Sequence, residues 1–239
     1  MSTPGRPADH DDRMERAYLS LEGLSVGDAF GGRFNYRAEA GRHLPPPPWY
    51  YSDDTVMALY VAEVLDRHGR VDQGDLARLF ARRYQADPYR GYGLSVRRVL
   101  EGIAGGEPWH ASARSIYEGV GSMGNGGAMR VAPLGAYFAD DLDEVVEQAR
   151  ASAEVTHAHP EGQAGAISVA VALLIGGIEA LGLIADKLGL EGTFWGAIAD
   201  LNESLANFGY LVVGIFLVSW AVSFAIYRWR GFEQPLHSP

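Results

Sequence analysis

The feature that most constrains how this chain folds is a change in its hydropathy pattern near Val169. Before that point, charged residues recur regularly, and glycine-rich turns separate segments whose apolar residues lie three and four positions apart. This spacing places the apolar side chains on one face of an α-helix. No convincing run alternates polar and apolar residues in the manner of a half-buried strand. We therefore predict an all-α fold, with a compact, soluble helical domain in the first part of the chain.

The helical spacing and the prolines divide this first part into elements. Five segments are predicted to be helices: Asp12–Gly23, Asp54–His68, Gln73–Tyr84, Leu94–Ile103 and Leu142–Val155. Pro45–Pro48 predicts an extended loop, because proline lacks the backbone donor that a helix interior needs. The polar N-terminus, residues 1–12, is expected to be a disordered tail, followed by a helical domain over residues 13–170.

The second part of the chain has the pattern of a membrane protein. Phe208–Tyr227 is uncharged over 20 residues, enough to span a bilayer, and an aromatic and basic end follows it. Gly162–Ile178 is a second uncharged run, which is equally consistent with a buried core helix. We predict a two-helix apolar hairpin over residues 171–239 that associates with a membrane through residues 208–229. The distribution of charge would then place the N-terminal domain on the cytoplasmic side of the membrane. The alternative is that the whole protein is cytoplasmic.

Charge and cysteine content exclude several classes of function. The 30 acidic residues outnumber the 20 basic ones, which gives a formal net charge of −10. A general nucleic-acid-binding protein would instead present a basic face, so we expect no nucleic-acid partner. The chain has no cysteine, which excludes disulfides, thiolate metal sites and thiol nucleophiles.

Two adjacent carboxylates flanked by two hydroxyls are the most informative local feature. This tetrapeptide, Ser52–Thr55, stands directly before the apolar run Val56–Val61 of a predicted helix. Ser and Asp are common N-cap residues, and acids in a first turn suit the helix dipole. Carboxylate and hydroxyl oxygens are also the ligands that Mg²⁺ prefers. The tetrapeptide alone therefore indicates a helix cap or a metal site, and one residue can serve as both.

Three further segments are rich in glycine or histidine. Gly23–Gly31 has closely spaced small residues that let backbones approach one another or a ligand; the alternative is simple helix packing. Gly124–Arg130 is a loop in which left-handed residues can form a nest of amides for phosphate oxygens; the alternative is a flexible connection. Thr156–Glu161 carries His157 and His159, which can bind a metal or a ligand, or can precede a helix.

The motifs SDDT, GNGGAMR and THAHPEG, in this order and spacing, resemble those of the ADP-ribosylglycohydrolase family. The resemblance covers about residues 14–170. It implies a compact all-α protein with a dinuclear Mg²⁺ centre, in some members Mn²⁺. It also implies hydrolysis of the glycosidic bond that joins ADP-ribose to a protein side chain or small molecule. The implied partners are ADP-ribose or an ADP-ribosylated protein.

The resemblance also implies roles for individual residues. The first motif would supply the metal ligands Ser52, Asp53 and Asp54, and the two carboxylates are the candidate catalytic residues. The other two motifs would bind the substrate through Gly124, Asn125, Gly126, Gly127, Met129 and His157. Two metal ions in such a site orient the ribose hydroxyls and activate water, and the transition state of glycosidic cleavage is oxocarbenium-like.

Two departures from the family pattern limit these expectations. Asn35 stands where the family usually has an acidic residue, and nothing after residue 170 matches the family's second metal motif, Asp-x-Asp-Thr. Asp141–Asp143 has the Asp-x-Asp spacing but lacks the Thr. Residues 168–183 and 209–229 instead resemble the C-terminal end of the nickel/cobalt permease family, without its His-x-x-x-x-Asp-His signature. The chain therefore has the pattern of a truncated hydrolase domain joined to a permease hairpin, that is, of a chimera.

Three hypotheses follow from these patterns. The first is an ADP-ribosylglycohydrolase-type hydrolase whose activity is impaired because half of the metal cage is missing. The second is a membrane protein fragment related to a nickel/cobalt transporter. The third is a non-catalytic protein that binds ADP-ribose through the glycine-rich loop.

Overall fold

A computed structural model describes residues 6–33 and 46–189, together with the single positions 192, 196, 199, 200 and 203. Within these residues the chain is helical and contains no strand, which confirms the predicted all-α class. The chain divides into two compact units, Met1–Leu174 and Ile175–Pro239. Asn35 and the predicted membrane segment, residues 208–229, lie outside the described residues.

The described residues form eight α-helices and one short 3₁₀ turn. The helices are α1 (His10–Gly31), α2 (Asp53–His68), α3 (Gln73–Ala86), α4 (Leu94–Ala104), α5 (Trp109–Arg114), α6 (Ala132–Tyr137), α7 (Leu142–Glu154) and α8 (Pro160–Leu188), and the 3₁₀ turn is Asn125–Gly127. All five helices predicted from apolar spacing are present. Four of them begin within one residue of the predicted position. The exception is α1, which begins earlier and extends further than its pattern predicts.

Helix α1 corrects two expectations. It begins at His10, so the last three residues of the expected disordered tail are helical. Its start is held by the side chain of His10, whose Nδ1 lies 2.7 Å from the hydroxyl of Tyr137 in a buried contact. The helix also continues through the glycine-rich segment to Gly31. A methyl group added at Gly23, Gly27 or Gly31 would meet no described atom within 4 Å. The expected close approach of another backbone to these glycines is therefore not found among the described residues.

One apolar core joins the helices of the first unit. Helix α1 packs on α2 and α6, α3 packs on α4 and α2, and α7 packs on α6. The core is formed by buried residues from every one of these helices, among them Met14, Met57, Val61, Leu65, Leu76, Phe80, Leu100, Leu134, Tyr137 and Val145. This packing holds the start of α2 against α1, where the acidic tetrapeptide lies.

Helix α8 contains the second uncharged run. Ala166 and Ala170 in its first part are fully buried in the core, as expected for a core helix. The backbone of Ala170 lies close to Gly135. A methyl group added at Gly135 would lie 2.9 Å from the backbone oxygen of Ala170. Among the residues that the structure describes, no helix is long and apolar enough to cross a membrane. The predicted hairpin therefore remains a prediction.

Candidate active site

An open cleft lies at the start of α2. Its volume is about 970 Å³, and its wall includes Ser52, Asp53, Asp54 and Asn125. The cleft thus brings together two of the three sequence motifs, although about 70 residues separate them along the chain. Met129 from the same glycine-rich loop borders a smaller neighbouring depression, which Asp54 also lines.

Ser52 is the N-cap of α2. Its Oγ accepts a hydrogen bond from the backbone N–H of Asp54 at 3.2 Å, which satisfies one of the free donors of the first turn. Asp53 and Asp54 follow as first-turn acids and face the positive end of the helix dipole. The capping interpretation of the tetrapeptide is therefore correct. It leaves both carboxylates at the cleft, so it does not compete with the metal interpretation.

Asp28 near the end of α1 is a site residue that the sequence analysis did not identify. Its Oδ2 accepts hydrogen bonds from the backbone N–H of Ser52 at 2.7 Å and from the hydroxyl of Thr55 at 2.7 Å. Its Oδ1 accepts one from the hydroxyl of Ser52 at 2.8 Å. One carboxylate therefore binds both hydroxyls that flank the acid pair and fixes the start of α2. Twenty-four residues separate Asp28 from Ser52, so no local pattern reveals the link.

Neighbouring carboxylates disfavour the ionisation of Asp53 and Asp54. Burial, followed by the charge of Asp54, raises the pKa of Asp53 to about 6, while Arg97 opposes the rise. Burial and the charge of Asp28 also raise the pKa of Asp54, against the hydrogen bond with Ser52 that favours its ionised form. Like charges and desolvation both favour the protonated acid. A cation placed among these groups would relieve the repulsion.

The loop before α4 closes against Asp53. The backbone N–H of Asp53 donates to the carbonyl oxygen of Arg90 at 2.8 Å, which brings Gly91 over the carboxylate. Gly91 has φ +105°, and a methyl group there would lie 2.8 Å from Oδ1 of Asp53. Only glycine satisfies both the backbone conformation and the close approach. Gly91 is a second site residue that sequence reasoning missed.

The glycine-rich loop differs from its predicted conformation. Gly124 has φ −67°, and none of the loop residues 124–127 has a positive φ, so the left-handed nest is not formed. Their small size matters instead. A methyl group at Gly126 would lie 2.6 Å from Cε1 of His157, and one at Gly127 would lie 3.0 Å from Cβ of Ala153. The loop therefore lies directly on the histidine ring, which joins the second and third motifs.

His157 is fully buried beneath this loop. Its exposed fraction is 1%, and its Nδ1 lies 2.8 Å from the hydroxyl of Thr156. Burial, helped by the charge of nearby Arg130, lowers the pKa of His157 to about 3, so the imidazole is neutral at physiological pH. A neutral imidazole carries a proton on one nitrogen and a lone pair on the other.

The alternative ligand candidates have other roles. His159 accepts a hydrogen bond at Nδ1 from the backbone N–H of Glu161 at 3.0 Å, at the start of α8, so it acts as a helix-start residue. Asp141 caps α7 by accepting from the backbone N–H of Glu144 at 3.1 Å. The Asp-x-Asp spacing at Asp141–Asp143 therefore marks a helix start.

The donor set at the cleft fits a divalent cation in part. Ser52, Asp53 and Asp54 offer hydroxyl and carboxylate oxygens, the ligand type of hard cations. Across residues 6–33 and 46–189, however, no group of three or more His, Asp or Glu side chains is arranged to hold a metal ion. These residues can supply part of a coordination shell, and water or substrate oxygens would have to complete it.

Comparison with known proteins finds one matching family and relatives for both parts of the chain. A family model described as ADP-ribosylglycohydrolase matches residues 9–235. The curated relatives include ADP-ribosylhydrolase ARH3 of Gallus gallus, which is 39% identical over 176 residues and covers 64% of this chain and 48% of its own length. The chain thus spans about half the length of this relative.

A solved structure and a transporter complete the comparison. A protein titled "ADP-ribosylglycohydrolase-related protein complex" superposes with a TM-score of 0.51 at 30% identity, covering 69% of this chain and 56% of that one. The high-affinity nickel transport protein of Cupriavidus necator is 49% identical over 68 residues, which are 28% of this chain and 19% of the transporter. This match covers the C-terminal part and is consistent with a chimera.

Proposed function

Because the chain belongs to the ADP-ribosylglycohydrolase family, we propose that it cleaves the glycosidic bond between ADP-ribose and a protein side chain or small molecule. The observation that carries the proposal is the cleft in which Asp53 and Asp54 stand beside Asn125 of the glycine-rich loop. This arrangement puts acid groups next to a loop that packs on the ring of His157. The relatives named ADP-ribosylhydrolase support the substrate class.

In this proposal Ser52, Asp53 and Asp54 would hold Mg²⁺, or Mn²⁺ as an alternative. The bound cation would supply charge stabilisation at the departing bond and orientation of the ribose hydroxyls. Asp28 keeps the hydroxyl of Ser52 oriented, and Gly91 leaves Oδ1 of Asp53 uncovered by a side chain. An ionised Asp53 or Asp54 can accept the proton of an attacking water molecule.

The substrate would bind along the loop from Gly124 to Met129, with His157 beneath it. Asn125 is exposed at the cleft, whereas Gly126 and Gly127 are buried and let the loop lie on the histidine ring. We expect activity below that of a complete family member, because no Asp-x-Asp-Thr motif follows residue 170 in this chain.

The test is release of ADP-ribose from ADP-ribosylated arginine and serine peptides, with and without Mg²⁺. The variant Asp53→Ala/Asp54→Ala should abolish release, whereas Asp143→Ala/Glu144→Ala, which removes the first-turn acids of α7, should not. Full activity in the Asp53→Ala/Asp54→Ala variant would show that the proposed ligands are wrong.

A second candidate is ADP-ribose binding without turnover. It is favoured by the lack, across the described part of the chain, of three His, Asp or Glu side chains that could together hold a metal ion. Calorimetry with ADP-ribose separates the two functions. Binding of equal strength with and without Mg²⁺, combined with no release from peptides, supports the binder. Mg²⁺-dependent release supports the hydrolase.

Membrane attachment is proposed separately for the C-terminal part. It is supported by the identity with a nickel transport protein and by the uncharged segment at residues 208–227. Fractionation of cells that express the full chain tests it. Recovery in the detergent-requiring fraction is expected, and a chain fully extracted at low salt without detergent would contradict the proposal.

A further inference from the structure

The glycine-rich segment Gly124–Arg130 ends in a buried cation, and the residues that the structure describes provide no carboxylate partner for it. Arg130 is fully buried, and burial lowers its pKa to about 9. Its partners among the described residues are neutral: the backbone oxygen of Ser152, the hydroxyl of Ser152 at 3.4 Å, the hydroxyl of Thr156 at 3.0 Å, the sulfur of Met57 at 3.8 Å, and the ring of Phe80 at 4.7 Å. Burial of a charged side chain is costly, so these hydrogen bonds matter for its placement.

The hydrogen bond between Arg130 and Thr156 has a defined direction. Arginine is a donor only, so Nη1 of Arg130 donates to Oγ1 of Thr156. The hydroxyl proton of Thr156 is then available for Nδ1 of His157, which lies 2.8 Å from the same oxygen. Thr156 is fully buried, and Nδ1 is the acceptor recorded for its hydroxyl proton among the described residues. With Nδ1 as the acceptor, the single proton of the neutral imidazole lies on Nε2.

Nε2 of His157 faces the loop. A methyl group built on Gly126 would lie 3.0 Å from Nε2, and one built on Gly124 would lie 3.5 Å from it. Among the residues that the structure describes, no hydrogen-bond acceptor is recorded for this nitrogen. The chain of hydrogen bonds thus ends at an N–H group beside the loop that is proposed to bind ADP-ribose.

We propose that Arg130 and Thr156 are positioning residues that hold His157 as the neutral Nε2–H tautomer, so that it donates a hydrogen bond to an oxygen of the bound ADP-ribose. The inference rests on the proposed function for the identity of the ligand. The direction of the Arg130–Thr156 hydrogen bond follows from the chemistry of arginine, and the tautomer of His157 is part of the inference. In this arrangement Arg130 contacts no ligand and acts through the hydroxyl of Thr156.

The test uses the full chain with ¹⁵N-labelled histidine, because ¹⁵N–¹H correlation spectra distinguish the two tautomers. We expect His157 to be protonated at Nε2, with a hydrogen-bonded Nδ1. Thr156→Val removes the donor to Nδ1 while keeping the shape of the side chain. It should shift the Nδ1 resonance to that of a free nitrogen, populate the Nδ1–H tautomer and weaken ADP-ribose binding by ~3- to 10-fold, the effect of one neutral hydrogen bond.

Two matched variants separate the loss of the hydrogen bond that positions His157 from a general disruption of the fold. Thr156→Ser restores the hydroxyl and should return both the Nδ1 resonance and the affinity. Ser152→Ala removes a hydroxyl that contacts Arg130 at 3.4 Å but not His157, and it should leave the tautomer unchanged. A wild-type His157 protonated at Nδ1, or an Nδ1 resonance that Thr156→Val does not move, would overturn the inference.

Addition of ADP-ribose separates this inference from the proposed function. A shift of the Nε2–H resonance on binding supports donation to the ligand. Calorimetric binding without any shift overturns the inference and leaves the proposed function intact. The absence of calorimetric binding overturns the proposed function, whereas the Nδ1 resonance still reports whether Thr156 orients the ring.

Discussion

Replacement of Asp28 tests how the acid pair is held in place. Asp28→Ala removes the acceptor of four hydrogen bonds: those from the backbone N–H groups of Ser52 and Thr55, and those from their two hydroxyls. A hydrogen bond to a charged acceptor contributes ~1.5–3 kcal/mol in favourable cases. Asp28 is half-buried, so water can replace part of the lost hydrogen bonding. The loss of all four bonds therefore costs much less free energy than the sum of four separate losses.

Relief of charge repulsion opposes this loss of hydrogen bonds. The charge of Asp28 raises the pKa of both Asp53 and Asp54, so its removal relieves repulsion in the folded state. We expect a net loss of ~3 kcal/mol in the free energy of unfolding for Asp28→Ala. For a chain of this size that corresponds to a fall in Tm of ~6–12 °C. Asp28→Asn keeps one acceptor oxygen and should lose ~1 kcal/mol.

The measurement is urea unfolding of the full chain, followed by circular dichroism. Glu22→Ala, which removes an exposed acid from the same helix, is the matched control and should change stability by less than ~0.5 kcal/mol. Carboxyl NMR titration of Asp28→Asn should also show a lower pKa for Asp54. If Asp28→Ala is no more destabilising than Glu22→Ala, Asp28 does not hold the start of α2 as described.

Three further predictions concern the glycines and the buried histidine. Gly91→Ala should weaken Mg²⁺ binding in calorimetry, because its methyl group would lie 2.8 Å from Oδ1 of Asp53 at a φ of +105°; Gly93→Ala, whose methyl group meets nothing within 4 Å, should not. Gly126→Ala should lower ADP-ribose affinity by ~10-fold or more, because its methyl group would collide with the ring of His157; unchanged affinity would refute the close packing. The unfolding free energy of the wild type, relative to His157→Gln, should be constant above pH 6.5 and fall between pH 6.5 and about 3. In that window the histidine of the unfolded chain binds a proton, whereas the folded one, with its lowered pKa, does not. The difference in unfolding free energy therefore changes by up to ~1.4 kcal/mol per pH unit. A difference that does not change with pH would show that the folded His157 titrates normally.

Apolar periodicity predicted the helices well where charged and apolar residues alternate at helical spacing. It failed at the end of α1, where closely spaced glycines resemble a turn although the backbone stays helical to Gly31. The intrinsic cost of glycine in a helix is about 1 kcal/mol, and contacts such as those of Asp28 with α2 can outweigh it. Helix ends that depend on tertiary contacts leave no local signal.

The residues of the candidate site also fall into those that have a local sequence signal and those that do not. Ser52, Asp53 and Asp54 were identifiable because their types and their position before an apolar run carry chemistry by themselves. Asp28 and Gly91 were not, since each matters only through an approach to that tetrapeptide which the fold creates. The glycine-rich loop was recognised for the wrong physical reason: its glycines are needed for space above a histidine ring.

The contact of Asp28 with both ends of the tetrapeptide has a consequence for protein design. A tetrapeptide grafted onto the first turn of another helix would keep its cap but lose the orientation of both hydroxyls, because these depend on a carboxylate from a different helix. The smallest transferable unit is a pair of helices in a fixed register.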